Sequence, residues 1–450
     1  MYNSYDKPRS RRPYEKKTLS KSGALVFGLG LGALAATIMI AVLVMLPYLS
    51  SRLENLPYYA RTYYRKLIPQ PEYLPTPAPT RAVPVAAAGG DPPPILPPSP
   101  TSTATPTLSP TPTIINEPGP AATGAAAEVR LAPTPTPTLT LQPILEATQL
   151  TGFTHQWQTW NNCGPATITT NMSYFGRTET QADAAQFLKP NKDDKNVSPH
   201  ELATYARTTG LEAIVRQGGA IDRLKTFLSH NLPVLTETWL VHDGDGLGHY
   251  RLITGYDDAT GQFNTSDSLN GPNYQVDYDQ FEADWRVFNH LYLVVYPADQ
   301  AELVRAIIGD ELDDTVMYER ILAQAQANAA ANPTEAIAYF NQGEALTRLE
   351  RYQEAVVAFD RARELGLHWR RLWYQFSPFE AYYAVGRYQD VLDLAQATLR
   401  GAGGLEEAYY YRGLALQATG QLGAKEDFEA ALAYNPLFTP AQEALDRLDQ

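Results

Sequence analysis

The pattern of hydrophobic and polar positions divides the chain into regions of different character. Residues 24–46 run for 23 positions without a charge, which at ~1.5 Å per residue crosses a ~30 Å hydrocarbon layer. Residues 69–143 hold 21 of the 35 prolines and few residues that could form a core. Alternating strands and amphipathic helices return after residue 150, and helical periodicity alone continues from residue 298.

This pattern predicts a multidomain protein with five segments. They are a basic tail (1–22), a transmembrane helix (23–48), a disordered Pro/Thr-rich linker (49–149), an α+β domain (150–297) and an all-α domain (298–450).

The charges beside the apolar segment predict its orientation. Seven basic and two acidic residues precede it, and four basic residues follow it closely. This bias favours a cytoplasmic N-terminus, and the segment is longer than the apolar region of a cleaved signal peptide. We therefore expect a single-pass protein of the cell membrane whose C-terminal domains are extracytoplasmic. A stiff Pro/Thr spacer suits that location.

Charge and cysteine content exclude several classes of protein. The formal net charge is −13, and no basic face is visible, so we expect no nucleic acid partner. The single cysteine excludes an internal disulfide and a zinc site built on several thiolates. The run from Asp243 to Gly246 lacks the rest of a twelve-residue calcium loop. We expect no metal and no cofactor.

That single cysteine precedes a predicted helix. Residues 167–175 place Ile168 and Met172 on one face, and Gly176 follows. Pro165 fits the first turn, where a missing N–H costs nothing. Cys163 therefore lies at a helix N-terminus, where the helix dipole lowers the pKa of a thiol. The alternative is a small buried apolar residue.

A thiolate nucleophile needs a base and a group that orients the base. His249 opens a predicted strand (249–256), and a turn (257–261) leads to a second strand (262–268) that carries Asp267 beside it. His242 is a rival base, in a stretch (241–246) that we interpret as a mobile loop on the substrate side.

These segments resemble a known family. NNCGPA at a helix start, GHYRLITGYDD and a following strand that ends in Asp are similar to the bacteriocin (double-glycine leader) peptidase-like branch of the papain-like cysteine peptidases. The resemblance covers about residues 150–297 and implies a helix bearing Cys163 packed on an antiparallel sheet bearing His249 and Asp267.

The resemblance also implies the role of each residue. Cys163 would be the nucleophile, His249 the general base and Asp267 the residue that orients it. Gln158 would help to form the oxyanion hole, with Gln156 as its competitor. The sequence departs from many relatives at the position after Asp267, where it has Ser and they have Pro.

The C-terminal region contains three similar units, at residues 338–366, 372–400 and 407–436. They resemble tetratricopeptide repeats, in which Gly343 and Gly413 would let two helices approach closely. The second unit lacks this small residue, and a generic helical bundle is the alternative. The resemblance implies a protein or peptide partner.

Together these patterns predict a membrane-anchored cysteine peptidase that hydrolyses amides and recruits a protein or peptide through its repeats. The alternatives are a non-catalytic, membrane-tethered scaffold that works through the repeats, and transfer of the acyl group to an amine. The substrate and the oligomeric state stay open.

Overall fold

The computed structural model describes Met39 and residues 72–77, 141–191, 193–242 and 245–448. The predicted basic tail, most of the predicted linker and all of the predicted transmembrane helix except Met39 lie outside these residues. Among the helices that are described, none combines the length and the apolar character needed to cross a bilayer. All the described residues except Met39 fall within one compact unit, Arg65–Gln450.

The centre of this unit is a seven-stranded antiparallel sheet. Its order is β2-β7-β3-β4-β5-β6, and β1 pairs with β4. The strands are β1 (Ala147–Gln149), β2 (Glu212–Arg216), β3 (Val234–His242), β4 (Asp245–Asp257), β5 (Gln262–Asp267), β6 (Gly271–Asp277) and β7 (Tyr292–Tyr296).

Helices cover both faces of this sheet. They are α1 (Cys163–Ser173), α2 (Gln181–Leu188), α3 (Pro199–Thr208), α4 (Ile221–Ser229), α5 (Tyr278–Trp285) and α6 (Ala301–Ile308).

Alternation along the strands separates the two cores. Leu235 and Leu252 pack with α1–α3, whereas Val234 and Ile253 pack with α4–α6, because neighbouring side chains of a strand point to opposite faces. Helix α6 contributes Val304 to the second core, although it follows the predicted domain boundary at residue 297. The predicted α+β arrangement, with the cysteine helix on an antiparallel sheet, is thus present.

The C-terminal region is helical. Its helices are α7 (Asp314–Ala331), α8 (Ala336–Arg348), α9 (Tyr352–Glu364), α10 (Ser377–Ala384), α11 (Tyr388–Ala402), α12 (Glu406–Ala418), α13 (Ala424–Tyr434) and α14 (Thr439–Leu448). A Cβ on Gly343 of α8 would lie 2.6 Å from the ring of Phe359 on α9, and Gly413 of α12 stands in the same relation to Phe428 on α13.

Two parts of the predicted linker have defined positions, contrary to the prediction of disorder. Leu74 is buried among the C-terminal helices, and its N–H donates to Leu367 O at 2.9 Å. Arg363 Nε donates to Pro75 O at 2.8 Å. Strand β1 also begins before the predicted boundary at residue 150. Neither segment is recognisable in the sequence, because both belong to a proline-rich region. In the structure, backbone groups of each segment form hydrogen bonds with a distant strand or loop.

The stretch that we interpreted as a mobile loop is mostly a hairpin. Strand β3 continues to His242, and Val241 pairs with Gly246 of β4. Arg370 Nη1, from the C-terminal region, donates to Gly246 O at 2.9 Å. The loop interpretation was wrong here because this stabilising contact comes from a residue 124 positions away.

Candidate active site

Cys163 is the first residue of α1 and is partly exposed. The turn before it contains Asn161 in the left-handed region, with φ of 54°, a conformation that asparagine tolerates better than most residues. The buried Lys189 fixes this turn by donating from Nζ to Asn161 O at 2.6 Å. Pro165 is the third helical residue, where its missing N–H breaks no helical hydrogen bond.

His249 and Asp267 lie side by side on β4 and β5. His249 Nε2 is 3.0 Å from Asp267 Oδ1, and both side chains are buried. Asp267 also accepts from Arg251 Nε at 3.1 Å and from the backbone N–H groups of Leu269 and Asn270, each at 2.9 Å. The carboxylate is therefore held on several sides, and it orients the imidazole.

The other imidazole nitrogen faces the thiol. His249 Nδ1 is buried and has no hydrogen-bond partner among the described residues, and the thiol of Cys163 is near enough to raise the pKa of His249, while His249 lowers the pKa of Cys163. The backbone of Tyr250 also acts to lower the pKa of Cys163. The structure thus brings together Cys163, His249 and Asp267, three of the residues predicted for the site.

The electrostatics of these groups favour an ion pair. Burial disfavours the thiolate, but the side chain and charge of His249, together with the backbone of Tyr250 and the charge of Lys189, outweigh it and lower the pKa of Cys163. Burial also disfavours the imidazolium, yet the carboxylate of Asp267 raises the pKa of His249 to about 9. The pKa of Asp267 lies well below its usual range, because its partners overcome the cost of burial. A thiolate beside an imidazolium is therefore the form expected at neutral pH.

Gln158 lines the same pocket as Cys163. Its Oε1 accepts from the Ser268 hydroxyl at 2.9 Å, and its backbone N–H donates to Ser268 O at 2.9 Å. The hydroxyl of Ser268 thus engages the oxygen end of the Gln158 amide, which leaves its NH₂ group available as a donor. Ser268, which stands where many relatives have Pro, therefore positions Gln158 through these two hydrogen bonds.

Gln156 is held elsewhere. Its Oε1 accepts from Gln181 N–H at 2.6 Å, and its Nε2 donates to Glu179 O at 3.2 Å. Because both ends of this amide are engaged by the segment before and at the start of α2, Gln156 does not line the pocket of Cys163.

His242 lies far along the hairpin from the site. The cross-strand partner of His249 is Thr238, and His242 is four residues further along β3, a distance of roughly 13 Å at ~3.3 Å per residue. Among the described residues, no group of His, Cys, Asp and Glu side chains is arranged to hold a metal ion.

Two pocket residues were missed by the sequence analysis. Glu237 of β3 and Tyr374, which follows a 3₁₀ helix (Trp369–Trp373) of the C-terminal region, both line the pocket of Cys163. Strand alternation with the buried Leu235 could have placed Glu237 on the α1 face. No sequence signal connects Tyr374 to a residue more than 200 positions before it.

Comparisons with known proteins concern the same part of the chain. Residues 148–293 match the family described as Peptidase_C39 like. Among solved structures, the peptidase domain of Streptococcus ComA, a bi-functional ABC transporter involved in a quorum sensing pathway, is 16% identical with a TM-score of 0.27 and covers 33% of this chain and 99% of its own. Curated proteins yield no match.

A second solved structure is a double glycine motif protease from an AMS/PCAT transporter in complex with the leader peptide. It is 17% identical with a TM-score of 0.25 and covers 32% of this chain and 91% of its own. The central part of the chain, which carries Cys163, His249 and Asp267, is a peptidase C39-like domain.

Proposed function

We propose that the protein is a membrane-anchored, extracytoplasmic cysteine peptidase that uses Cys163, His249 and Asp267. One observation carries the proposal: the imidazole of His249 lies between the thiol of Cys163 and the carboxylate of Asp267. A buried nitrogen directed at a thiol has no structural need to be there, so a non-catalytic scaffold leaves this arrangement unexplained.

The geometry supports amide hydrolysis in two steps. The thiolate attacks the substrate carbonyl, and the oxyanion accepts hydrogen bonds from the Gln158 amide and from the N–H of Cys163. Collapse breaks the C–N bond, and His249 gives its proton to the departing amine, which leaves a thioester on Cys163. His249 then takes a proton from water as the water attacks the thioester, and the carboxylic acid leaves.

The remaining parts of the proposal concern location and recruitment. The apolar segment (23–48) would anchor the chain with its N-terminus in the cytoplasm, and the Pro/Thr-rich segment would hold the domains away from the membrane. The C-terminal helices would act as tetratricopeptide repeats that bind a protein or peptide. The matching contacts of Gly343 and Gly413 with aromatic rings of the next helix support this assignment.

The test uses the fact that the chain has one cysteine. Iodoacetamide at pH 6.5 should label one site per chain, labelling should disappear in Cys163→Ala, and the rate should fall in His249→Ala. A peptide library analysed by mass spectrometry should then show products that the Cys163→Ala variant does not form. An inert thiol in the wild type would contradict the proposal.

The same assay separates hydrolysis from acyl transfer. Added amines such as glycinamide should leave the product carboxylic acid as the main product if water is the normal acceptor. A product that becomes an amide at millimolar amine would instead identify a transferase.

A further inference from the structure

The pocket beside Cys163 contains an acidic side chain that the triad does not use. Glu237 is the cross-strand partner of Tyr250 and lies on the α1 face of the sheet. It is 4% exposed. Among the described residues its carboxyl group has neither a hydrogen bond nor an ion pair, although buried acids normally have both.

Arg371, the buried cation whose charge acts on Glu237, is engaged by other groups. Arg371 donates to Val287 O and to Gln375 Oε1, and its charge interacts more strongly with Glu344 than with Glu237. Glu344 in turn accepts from Asn289 Nδ2 at 2.6 Å. Glu237 is therefore left without an ion-pair partner among the described residues.

The two lysines that line the pocket, Lys189 and Lys195, interact with other residues. Lys189 donates to Asn161 O at 2.6 Å, and Lys195 lies 3.9 Å from the carboxylate of Asp193. Burial, followed by the charge of Cys163, raises the pKa of Glu237 well above its usual range. A cation that entered the pocket would reverse this effect by favouring the carboxylate.

An aromatic ring completes this part of the pocket. Tyr374 packs against Gly248, where an added Cβ would lie 3.0 Å from the ring. Arg370 of the preceding 3₁₀ helix donates a hydrogen bond to Gly246 O in the hairpin of β3 and β4. The C-terminal region thus supplies one wall of the pocket, and an aromatic face is a favourable neighbour for a cation.

We propose that Glu237 and Tyr374 form a subsite for a cationic side chain, a lysine or an arginine, of the peptide that Cys163 attacks. The aliphatic part of that side chain would lie along the ring of Tyr374, and its charged end would pair with Glu237. This proposal rests on the proposed peptidase function, and it names the substrate class: peptides with a basic residue next to the scissile bond.

The test compares two alkylating reagents of nearly equal shape, N-(4-aminobutyl)chloroacetamide and N-pentylchloroacetamide. The rate of each reagent with Cys163 at pH 8 is divided by its rate with free cysteine. The normalised rate of the aminobutyl reagent divided by that of the pentyl reagent is the selectivity ratio for the ammonium group. We expect a ratio of about 10 in the wild-type chain, equivalent to about 1.4 kcal/mol. Glu237→Gln should bring the ratio to about 1, and Tyr374→Leu should lower it to an intermediate value.

Glu212→Gln is the matched control, since Glu212 is exposed on β2, and it should keep the wild-type ratio. A wild-type ratio near 1, or a ratio that survives Glu237→Gln, would overturn the subsite. A wild-type ratio near 1 overturns the subsite even if a variant fails to fold. Failure of the peptidase proposal looks different, because neither reagent would then label Cys163 faster than an ordinary thiol.

Discussion

At the scale of single residues, the reactivity of Cys163 depends on Asp267 through His249. The carboxylate raises the pKa of His249 to about 9, and the resulting imidazolium lowers the pKa of the thiol. We predict that Asp267→Asn lowers the pKa of His249, so that the imidazolium is lost at a lower pH. The thiolate then forms only at higher pH.

The measurement is the rate of iodoacetamide labelling of Cys163 as a function of pH. The inflection should move upward by about one pH unit or more in Asp267→Asn, where one unit corresponds to ~1.4 kcal/mol. Asp222→Asn, at an exposed position on α4, should leave the profile unchanged. An unshifted inflection in Asp267→Asn would show that Asp267 does not control the pair.

Gln158 allows a second prediction at this scale, because two reactions of the same thiol differ in whether an oxyanion forms. Acylation by p-nitrophenyl acetate passes through a tetrahedral oxyanion, whereas alkylation by iodoacetamide does not. Gln158→Ala should therefore reduce the ratio of the acylation rate to the alkylation rate by roughly 10²–10³-fold. Ser268→Ala, which removes the hydrogen bond to Gln158 Oε1, should reduce the ratio less. An unchanged ratio in Gln158→Ala would remove Gln158 from the oxyanion hole.

At the scale of elements, the helices and strands that could be predicted are those marked by characteristic residues in the local sequence. The start of α1 was readable from Cys163 and Pro165, and the hairpin of β4 and β5 was readable from its turn. Strand β6 was missed because four consecutive residues within it are exposed, which leaves no alternation to read. Strand β2 was also missed, since only two of its five residues are fully buried.

The close approach of α8 and α9 permits a prediction about Gly343. Glycine to alanine within a helix normally stabilises it by about 0.5–1 kcal/mol, but here the added Cβ would lie 2.6 Å from Phe359. We expect Gly343→Ala to lower the free energy of unfolding by about 1–3 kcal/mol. Urea unfolding followed by circular dichroism measures this change.

The second variant in that experiment is Phe359→Leu, which shortens the ring that obstructs the Cβ. Gly343→Ala should cost less free energy in the Phe359→Leu background than in the wild type, so that the two changes are not additive. Additive costs would mean that the helix pair does not depend on this contact.

At the scale of the whole molecule, residues far apart in sequence meet between the sheet and the C-terminal helices. Asn435 Nδ2 lies 3.2 Å from Glu201 Oε1 and 3.2 Å from Glu406 Oε1. Residues 72–77 add a second set of contacts elsewhere in the C-terminal region, with Arg363, Leu367 and Trp369. The sequence could not predict the contacts of Asn435 with Glu201 or of Pro75 with Arg363, because neither periodicity nor local motifs relate positions separated by more than 200 residues.

This junction buries several carboxyl groups together. Glu406 and Glu407, at the start of α12, interact with Asp194, which precedes α3. Burial raises the pKa of Asp194 to about 7, and it raises the pKa of Glu407 well above its usual range. At these carboxyl groups the folded chain therefore holds more protons than the unfolded chain at any pH above the usual carboxyl range and below the raised values. The stability that these groups contribute should fall as pH rises through that window.

Glu407→Gln removes one of these groups while preserving its size. We predict that the variant is more stable than the wild type at pH 8, by roughly 1–3 kcal/mol, since Glu407 Oε2 is buried without a hydrogen-bond partner in the described structure. The gain should shrink as the pH falls toward 4.5, where the wild-type group is protonated in the folded state at little cost. Urea unfolding at pH 5 and pH 8 measures the difference, with Glu443→Gln, exposed on α14, as the control. An equal gain at both pH values would mean that the stabilisation comes from packing and not from the buried charge.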